Sequence, residues 1–225
     1  MTASRKKLRA AVLISGGGTN LQAFIDTVAA GSLALDLCAV VSNVADAYGL
    51  ERASRAGIDT RVVSHRDFGS REDFDVALVE TLDTYAPGLV LLAGFMRILT
   101  PTFIDAYRGR IMNIHPSLLP RYPGLDTHQR AIDAGDAWAG STVHFATAEL
   151  DGGPRIIQGR VPVLADDTAG TLAARVLEIE HRIYPEAARL FAAGRLEYRD
   201  GQAWLDGRRL AEPMQYSQKG SDPRG

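Results

Sequence analysis

Cysteine is almost absent from this chain, and its scarcity excludes several kinds of protein. The single thiol, Cys38, cannot form an intrachain disulfide, and a cysteine-based zinc site is excluded as well. Because Cys38 lies within the apolar run 35–41, we expect a buried core thiol rather than a reactive one. No apolar run is long enough to span a membrane or to act as a secretion signal. The sequence therefore favours a cytoplasmic protein.

A strong excess of charge is also missing, since 25 Lys and Arg residues face 27 Asp and Glu residues. This balance argues against general binding to nucleic acid or to a membrane surface, but it leaves a local site for an anionic ligand open. Hydrophobic residues make up 46% of the 225 residues, which is enough for one good-sized core. We predict a single domain over residues 1–215 and a frayed tail over 216–225. The sequence does not fix the oligomeric state, and a homodimer is one assembly that it allows.

In the first half of the chain, apolar runs alternate with amphipathic patterns. The predicted elements, in chain order, are strand 8–14, a helix after residue 19, strand 35–41, helix 49–56, strand 60–63, helix 71–85, strand 89–93, helix 101–107 and strand 110–114. Strands that are apolar on both faces, separated by such helices, indicate an α/β fold with a mostly parallel, twisted sheet and helices on both faces. Ligands of these sheets bind at the carboxyl ends of the strands.

The second half of the chain has a different pattern. Runs 142–146 and 156–163 look like strands joined through the turn 151–154, which predicts antiparallel pairing. Asp-Gly pairs flank a short apolar segment within 200–207 and indicate a small terminal hairpin. The residues from Gln215 onwards are polar and should be frayed. We therefore expect antiparallel strands in the C-terminal half of the sheet.

A long helix is predicted between these strands and the terminal hairpin. Thr168 is its candidate N-cap, and the helical pattern continues to about Phe191. Pro185 lacks a backbone N–H, so it is placed to kink or interrupt this helix.

The segment SGGGTN, residues 15–20, lies between the first predicted strand and the first predicted helix. Backbone amides that glycines leave free at a helix N-terminus form a pocket for phosphate. The segment is not the dinucleotide fingerprint, because Leu21 occupies the third glycine position, and it lacks the lysine of a P-loop. Two interpretations stay open, a monophosphate site and a tight turn in which Thr19 or Asn20 caps the helix.

A carboxamide and an imidazole stand two residues apart at the end of the fifth predicted strand. Asn113 and His115 flank Ile114, so their side chains point to the same side of an extended segment. An Asn side chain can donate to a developing oxyanion, a His can hold or pass a proton, and a carboxylate such as that of Asp151 favours a protonated imidazole nearby. The pattern indicates an acyl-transfer site without a serine or cysteine nucleophile. The structural alternative is a strand-end His115 held by backbone groups, with Asp151 starting a turn and His144 acting as an ordinary sheet residue.

Several segments together resemble the folate-dependent glycinamide ribonucleotide transformylase family. They are SGGGTNLQ at 15–22, AGFMRIL at 93–99, NIHPSLLPRYPG at 113–124, TVH at 142–144 and LDGGP at 150–154. The NIHPSLLP part alone marks the wider formyltransferase group, whereas its combination with the other segments is specific to this family. The resemblance extends from about residue 8 to about residue 210. It implies a Rossmann-like formyltransferase domain with a phosphate-binding half over about 8–110 and a catalytic and folate-binding half over about 111–210.

The implied reaction transfers the formyl group of 10-formyltetrahydrofolate to the amine of glycinamide ribonucleotide, a step of purine biosynthesis, and needs no metal. The attack would be direct, through a tetrahedral intermediate, with Asn113, His115 and Asp151 as the catalytic trio and His144 in support. The residues implied for the substrate phosphate and ribose are Gly18, Thr19, Asn20 and Glu180. The residues implied for the folate are Arg71, Met96, Arg97, Ile98, Leu99, Thr147, Ala148, Glu149 and Leu150. Among these, Arg71 would meet the anionic tail of the folate.

Two details of the chain bear on this resemblance. The middle of the glycine segment, Gly17, is often polar in the family, and three consecutive glycines should loosen the loop without removing its amides. The resemblance also implies a cis bond between Leu119 and Pro120, in the proline-rich loop that follows His115.

Other functions share parts of the pattern. A hydrolase that deformylates the same folate needs the trio but not the phosphate site, and such enzymes usually carry a regulatory domain before the catalytic one, whereas about seven residues precede the first strand here. A methionyl-tRNA formyltransferase needs a second, basic RNA-binding domain, for which 225 residues leave no room. A non-catalytic folate- or nucleotide-binding module would keep the loops and tolerate the loss of His115.

Overall fold

The computed structural model describes residues 7–216, in which helices and strands alternate along most of the chain. In chain order the elements are β1 (Leu8–Ile14), α1 (Thr19–Ala29), β2 (Leu35–Ser42), α2 (Tyr48–Arg55), β3 (Thr60–Val62), a 3-10 helix (His65–Asp67), α3 (Arg71–Asp83), β4 (Leu89–Leu92), α4 (Pro101–Ala106), β5 (Ile111–His115), α5 (Thr127–Asp133), β6 (Trp138–Phe145), β7 (Arg155–Pro162), α6 (Ala169–Ala192), β8 (Leu196–Arg199), β9 (Gln202–Leu205), β10 (Arg208–Arg209) and β11 (Met214–Tyr216).

The main sheet has eight strands in the order β11-β7-β6-β5-β4-β1-β2-β3. All pairings among β1 to β5 are parallel, whereas β6 pairs antiparallel with both β5 and β7. The short strands β8, β9 and β10 form a separate antiparallel sheet. The predicted fold class, a mostly parallel sheet with flanking helices and antiparallel strands in its C-terminal half, is confirmed.

The parallel strands are buried on both faces. Val12 and Leu91 pack in one cluster with apolar residues of α1 and α6, while Leu13 and Val90 pack in a second cluster with residues of α3 and α4. Successive side chains of a strand point to opposite faces, so a strand between two helical layers must be apolar throughout. This requirement explains why β4 and residues 10–14 of β1 are apolar at every position.

The long helix α6 begins as the sequence predicts but does not break at its proline. Thr168 forms a capping box with Thr171, in which the Thr168 hydroxyl accepts from the Thr171 amide at 3.2 Å. The helix continues through Pro185, so the expected interruption is wrong. Its buried side chains pack against the sheet, and this packing holds the helix together across the one missing backbone bond. No helix within residues 7–216 is long and apolar enough to cross a membrane.

One helix was missed and one expectation is corrected. Helix α5 was not predicted, because its seven residues carry too few apolar side chains to show a helical period. Gln215 and Tyr216, assigned to a frayed tail, lie in β11, where the open edge of β7 supplies backbone partners. The rest of that tail, 217–225, lies outside the described residues.

At Gly140 the backbones of β6 and β7 approach each other closely. Replacement of this glycine tests the packing between the two strands. A Cβ atom at this position would lie 2.0 Å from the Gly159 carbonyl oxygen and 2.8 Å from a Leu118 methyl carbon. We expect Gly140→Ala to lower the free energy of unfolding by about 1–3 kcal/mol through overpacking. Urea denaturation followed by circular dichroism measures this difference.

Gly170 provides the matched control for that substitution. It lies in the first turn of α6, and an added Cβ would meet only the Thr168 hydroxyl, at 3.8 Å. Gly170→Ala should leave stability unchanged or raise it by about 0.5 kcal/mol, because alanine restricts the unfolded chain. Equal stability of the Gly140→Ala and Gly170→Ala proteins would contradict the proposed packing.

Candidate active site

A cavity of about 740 Å³ opens where β4 and β5 end. Four chain segments line it, namely 94–99 after β4, 113–116 at the end of β5, 124–129 at the start of α5, and 144–151 from the end of β6 through the following loop. Three of the four segments contain residues that the sequence predicts to be functional. The cavity therefore brings together parts of the chain that are far apart in sequence.

His115 is held at both of its ring nitrogens. Its Nε2 atom lies 2.8 Å from the carbonyl oxygen of Tyr122, and its Nδ1 atom lies 3.4 Å from Asp151 Oδ2. The same carboxylate oxygen accepts a hydrogen bond of 2.9 Å from the backbone amide of Gly124, which fixes its direction. Both ring nitrogens face oxygen acceptors, and only a doubly protonated ring can donate to both. The predicted pairing of His115 with Asp151 is present in the structure.

The Tyr122 carbonyl determines which nitrogen of His115 faces Asp151. Because Nε2 is engaged by this carbonyl, Nδ1 is the nitrogen beside Asp151. The contact of Nδ1 with Asp151 is longer than an optimal charge-assisted hydrogen bond, so an incoming oxygen can share that hydrogen. Sequence reasoning missed this contribution, since it comes from a backbone group of a non-glycine residue with a left-handed conformation, φ 55°.

His144 orients the carboxamide of Asn113. The two residues face each other across β5 and β6, and Asn113 Nδ2 lies 3.1 Å from His144 Nε2. His144 Nδ1 lies 3.0 Å from the carbonyl oxygen of Phe145, so Nδ1 carries the hydrogen and Nε2 accepts from the amide. Burial lowers the pKa of His144 from its ordinary value, and this effect outweighs the opposing influence of the Phe145 carbonyl and the Asp151 carboxylate.

A neutral His144 has two consequences for the site. Its Nε2 atom is an acceptor, so the 3.7 Å separation from Asp151 Oδ1 is not an ion pair. One hydrogen of the Asn113 amide is directed to His144, and the second remains free for a ligand oxygen. His144 therefore positions Asn113 and does not itself supply a charge.

The glycine segment, residues 15–20, adjoins a second group of buried polar side chains. Gly18 has a left-handed conformation, φ 68°, and precedes α1 without a side-chain cap, so the interpretation that Thr19 or Asn20 caps this helix is wrong. Asn20 instead donates to Glu180 Oε2 at 2.8 Å, and the Ser141 hydroxyl lies 3.1 Å from Glu180 Oε1. Burial raises the pKa of the Glu180 carboxyl.

Ser141 connects this group to β5. Its hydroxyl donates to the carbonyl oxygen of His115 at 2.8 Å while facing Glu180. Neither Glu180 nor the glycine segment lines the 740 Å³ cavity, so the structure does not place these predicted substrate residues on its wall. The sequence offered no signal for Ser141.

Comparison with known proteins agrees with this geometry. The sequence pattern of the formyl transferase family matches residues 8–188 of the chain. The phosphoribosylglycinamide formyltransferase of Escherichia coli (strain K12) is 54% identical over 199 residues, which are 88% of this chain and 94% of that protein. The chain belongs to the formyl transferase family.

Solved structures of formyl transferases agree with the fold as well. A phosphoribosylglycinamide formyltransferase from Coxiella burnetii superposes with a TM-score of 0.90 at 50% identity, over 94% of this chain and all of that chain. A glycinamide ribonucleotide transformylase from Symbiobacterium toebii gives a TM-score of 0.88 at 48% identity, over 91% of this chain and 97% of that chain. The family resemblance seen in the sequence is confirmed, and the chain is a formyltransferase.

The folate residues that the formyl transferase resemblance implies are mostly on the cavity wall. Those that line the cavity are Met96, Arg97, Ile98, Leu99, Thr147, Ala148, Glu149 and Leu150. Met96, Ile98, Leu150 and the unpredicted Leu125 are each between 53% and 77% exposed, which is unusual for large apolar side chains. Such a group of exposed apolar side chains around one opening suits a flat organic ligand.

Arg71 is the exception, because it does not line the cavity. It is exposed at the start of α3, one helical turn before Asp75, whose carboxylate accepts from the Thr100 amide. His128 also lines the cavity, and burial lowers its pKa. The Leu119–Pro120 bond is cis, as the resemblance implies.

Proposed function

We propose that this formyltransferase transfers the formyl group of 10-formyltetrahydrofolate to the amine of glycinamide ribonucleotide, in purine biosynthesis. The observation that carries the proposal is the arrangement at the end of β5, where an oriented amide and a paired imidazole line one cavity. Among the described residues that line this cavity there is no serine or cysteine, which supports direct transfer rather than a covalent enzyme intermediate.

The proposed reaction has one tetrahedral intermediate. The neutral amine attacks the formyl carbon, a new C–N bond forms, and the carbonyl oxygen takes up negative charge. Asn113 donates its free amide hydrogen to this oxygen, and His115 donates from Nδ1. The bond from carbon to the folate nitrogen then breaks, and the proton lost by the attacking nitrogen is delivered to the departing one.

Asp151 and His144 support this reaction in different ways. The carboxylate of Asp151 stabilises the positive charge of His115, so a charged donor faces the oxyanion. His144 holds Asn113 through a neutral ring, so the amide donates in one fixed direction. Preorganised donors of this kind need no rearrangement when the charge develops.

The two substrates are assigned to neighbouring regions. The phosphate is proposed to bind the backbone amides at Gly18, Thr19 and Asn20, where α1 begins without a side-chain cap. The ribose is proposed to lie beside Glu180. The folate ring would occupy the apolar part of the cavity, and its anionic tail would extend towards Arg71, which is exposed at the start of α3.

One assay tests the reaction against its alternatives. The protein is mixed with 10-formyltetrahydrofolate, with and without glycinamide ribonucleotide, and released tetrahydrofolate is followed by its absorbance. Release that requires the ribonucleotide is expected. Release without it would indicate a hydrolase, and no release under either condition would indicate a binding protein.

A further inference from the structure

The loop 121–124 is bonded through its backbone to both members of the His115–Asp151 pair. The Tyr122 carbonyl oxygen lies 2.8 Å from His115 Nε2, and the Gly124 amide donates to Asp151 Oδ2 at 2.9 Å. Tyr122 does not itself line the cavity, so any effect that it has on a substrate passes through this backbone. The geometry of the pair therefore depends on the direction of two backbone groups in one short loop.

The backbone of Tyr122 has a conformation that a bulky residue does not favour. Its φ of 55° lies in the left-handed region, where the Cβ atom approaches a neighbouring carbonyl oxygen. A residue stays in this region only where its surroundings hold it there. The contacts that hold Tyr122 are therefore the contacts that keep its carbonyl directed at His115.

Three charged side chains contact the side chain of Tyr122. Its hydroxyl donates to Asp136 Oδ2 at 2.8 Å and accepts from Arg121 Nη2 at 2.9 Å. Arg121 also pairs with Asp136, with 2.7 Å between Nη2 and Oδ1. The guanidinium carbons of Arg121 and Arg130 each lie 5.0 Å from the centroid of the tyrosine ring, where a cation is attracted to the aromatic face. The ring is thus held both at its face and at its hydroxyl.

Two of these contacts come from outside the loop. Arg130 belongs to α5, and Asp136 lies between α5 and β6. Arg130 Nη1 also donates to the carbonyl oxygen of Pro123 at 2.7 Å and lies 3.2 Å from that of Leu125. The side chain of Tyr122 is therefore fixed relative to α5 and the start of β6, and not to its own loop alone.

We propose that Tyr122 is a positioning residue for formyl transfer, whose side chain, held by Asp136 and Arg130, keeps the Tyr122 carbonyl on His115 Nε2. This contact sets the orientation of the imidazole and so directs Nδ1 at the developing oxyanion. A donor that is already oriented needs no rearrangement when the charge develops. The inference rests on the proposed function, because the oxyanion in question is that of the transfer reaction.

Tyr122→Phe removes the hydroxyl and keeps the ring. Loss of one hydrogen bond from the support of the loop should lower kcat by about threefold to tenfold. The KM values for both substrates should stay within about twofold, since the altered contact orients a donor and does not bind a substrate. Steady-state kinetics with each substrate varied in turn measures both quantities, and an unchanged kcat would contradict the role of the hydroxyl.

Tyr122→Gly separates the backbone conformation from the side chain. Glycine adopts a positive φ without steric cost, so the observed backbone stays accessible while every side-chain contact is lost. If the side chain positions the carbonyl, kcat should fall by about 10- to 100-fold through misplacement of His115. A Tyr122→Gly protein with normal kcat would show that the backbone alone is sufficient and would overturn the proposal. If this variant does not fold, Tyr122→Phe supplies the test.

A spectroscopic measurement reports on His115 directly. In protein made with isotopically labelled histidine, the NMR signal of His115 Nε2, identified by its loss in His115→Ala, is sensitive to the bond with the Tyr122 carbonyl. This signal should move in both Tyr122 variants. A lower kcat together with an unmoved signal would also refute the proposal, because the loss would then arise elsewhere in the site.

Tyr107→Phe is the matched control. The Tyr107 hydroxyl likewise donates to an aspartate, Asp83 Oδ1 at 2.7 Å, and the guanidinium of Arg110 lies 5.3 Å from the ring centroid. Tyr107 follows α4 and does not line the cavity. Its replacement should lower the temperature of thermal unfolding but leave kcat and the His115 signal unchanged. An equal fall in kcat in both phenylalanine variants would indicate a general effect of lost packing and would rule out a specific role for Tyr122.

A failure of the proposed function gives a different result. The unaltered protein would then not transfer a formyl group to glycinamide ribonucleotide at all. The comparison of His115 signals needs no substrate, so it tests the support of the imidazole independently of the reaction.

Discussion

With alanine in place of His115, kcat should fall by about 10²- to 10³-fold, because the cavity loses a charged donor to the oxyanion. The imidazole is held in place by the Tyr122 carbonyl, so its donor has a fixed position in the unaltered protein. Binding of the substrates should change less than turnover does, since the donor acts mainly on charge that develops during the reaction. Asn113→Ala should produce a loss of similar size, because the free amide hydrogen serves the same oxygen.

Steady-state kinetics of both variants, with thermal unfolding to verify the fold, measures these losses. The double variant is informative as well. The two donors act on one atom, so the loss in the double variant should be smaller than the product of the two single losses. Turnover close to normal in both single variants would remove the oxyanion assignment.

The second large effect is expected from Asp151→Asn, with a loss in kcat on the order of 10²-fold. The carboxamide has the size of the carboxylate, and its oxygen can still accept from the Gly124 amide. The negative charge beside His115 Nδ1 is removed, however, and the protonated ring is stabilised less. A weaker donor then faces the oxyanion, and steady-state kinetics measures the loss in kcat.

Asp200→Asn is the control for this substitution. Asp200 shares with Asp151 a left-handed backbone, φ 52° against 53°, and its replacement also removes one negative charge, but it lies in the turn between β8 and β9. Its kcat should match that of the unaltered protein. An Asp151→Asn protein with an unchanged kcat would contradict the role of the carboxylate beside His115.

Much of the fold could be predicted from local sequence. The strands β1 and β4 are apolar at every central position because two helical layers cover them, and this pattern is visible without coordinates. The antiparallel β6 and β7 were predicted in type and pairing, although β6 begins at Trp138, four residues before the predicted start. The residue at which a strand begins depends on its pairing register with the adjacent strand. The local sequence of one strand does not specify that register.

The candidate site was predicted only in part, for reasons that are also physical. Spacing placed Asn113 and His115 on one side of β5, and their convergence with Asp151 is found in the structure. The roles of the Tyr122 carbonyl and of a neutral His144 depend on backbone direction and burial, and neither quantity is encoded in a local pattern. The connection from Ser141 to Glu180 joins residues that are distant in sequence, so a search for short motifs does not find it.

The parallel strands form a wall between two separate interiors. Val12 and Leu13 are adjacent in sequence, yet the first belongs to the interior beneath α1 and α6, and the second to the interior beneath α3 and α4. Glu180 is carried by a helix of the first interior, whereas Asp75, which accepts a hydrogen bond from the Thr100 amide, is carried by a helix of the second. Under the proposed assignment of the two substrates, we therefore expect core substitutions beneath α6 to affect the ribonucleotide more, and core substitutions beneath α3 to affect the folate more.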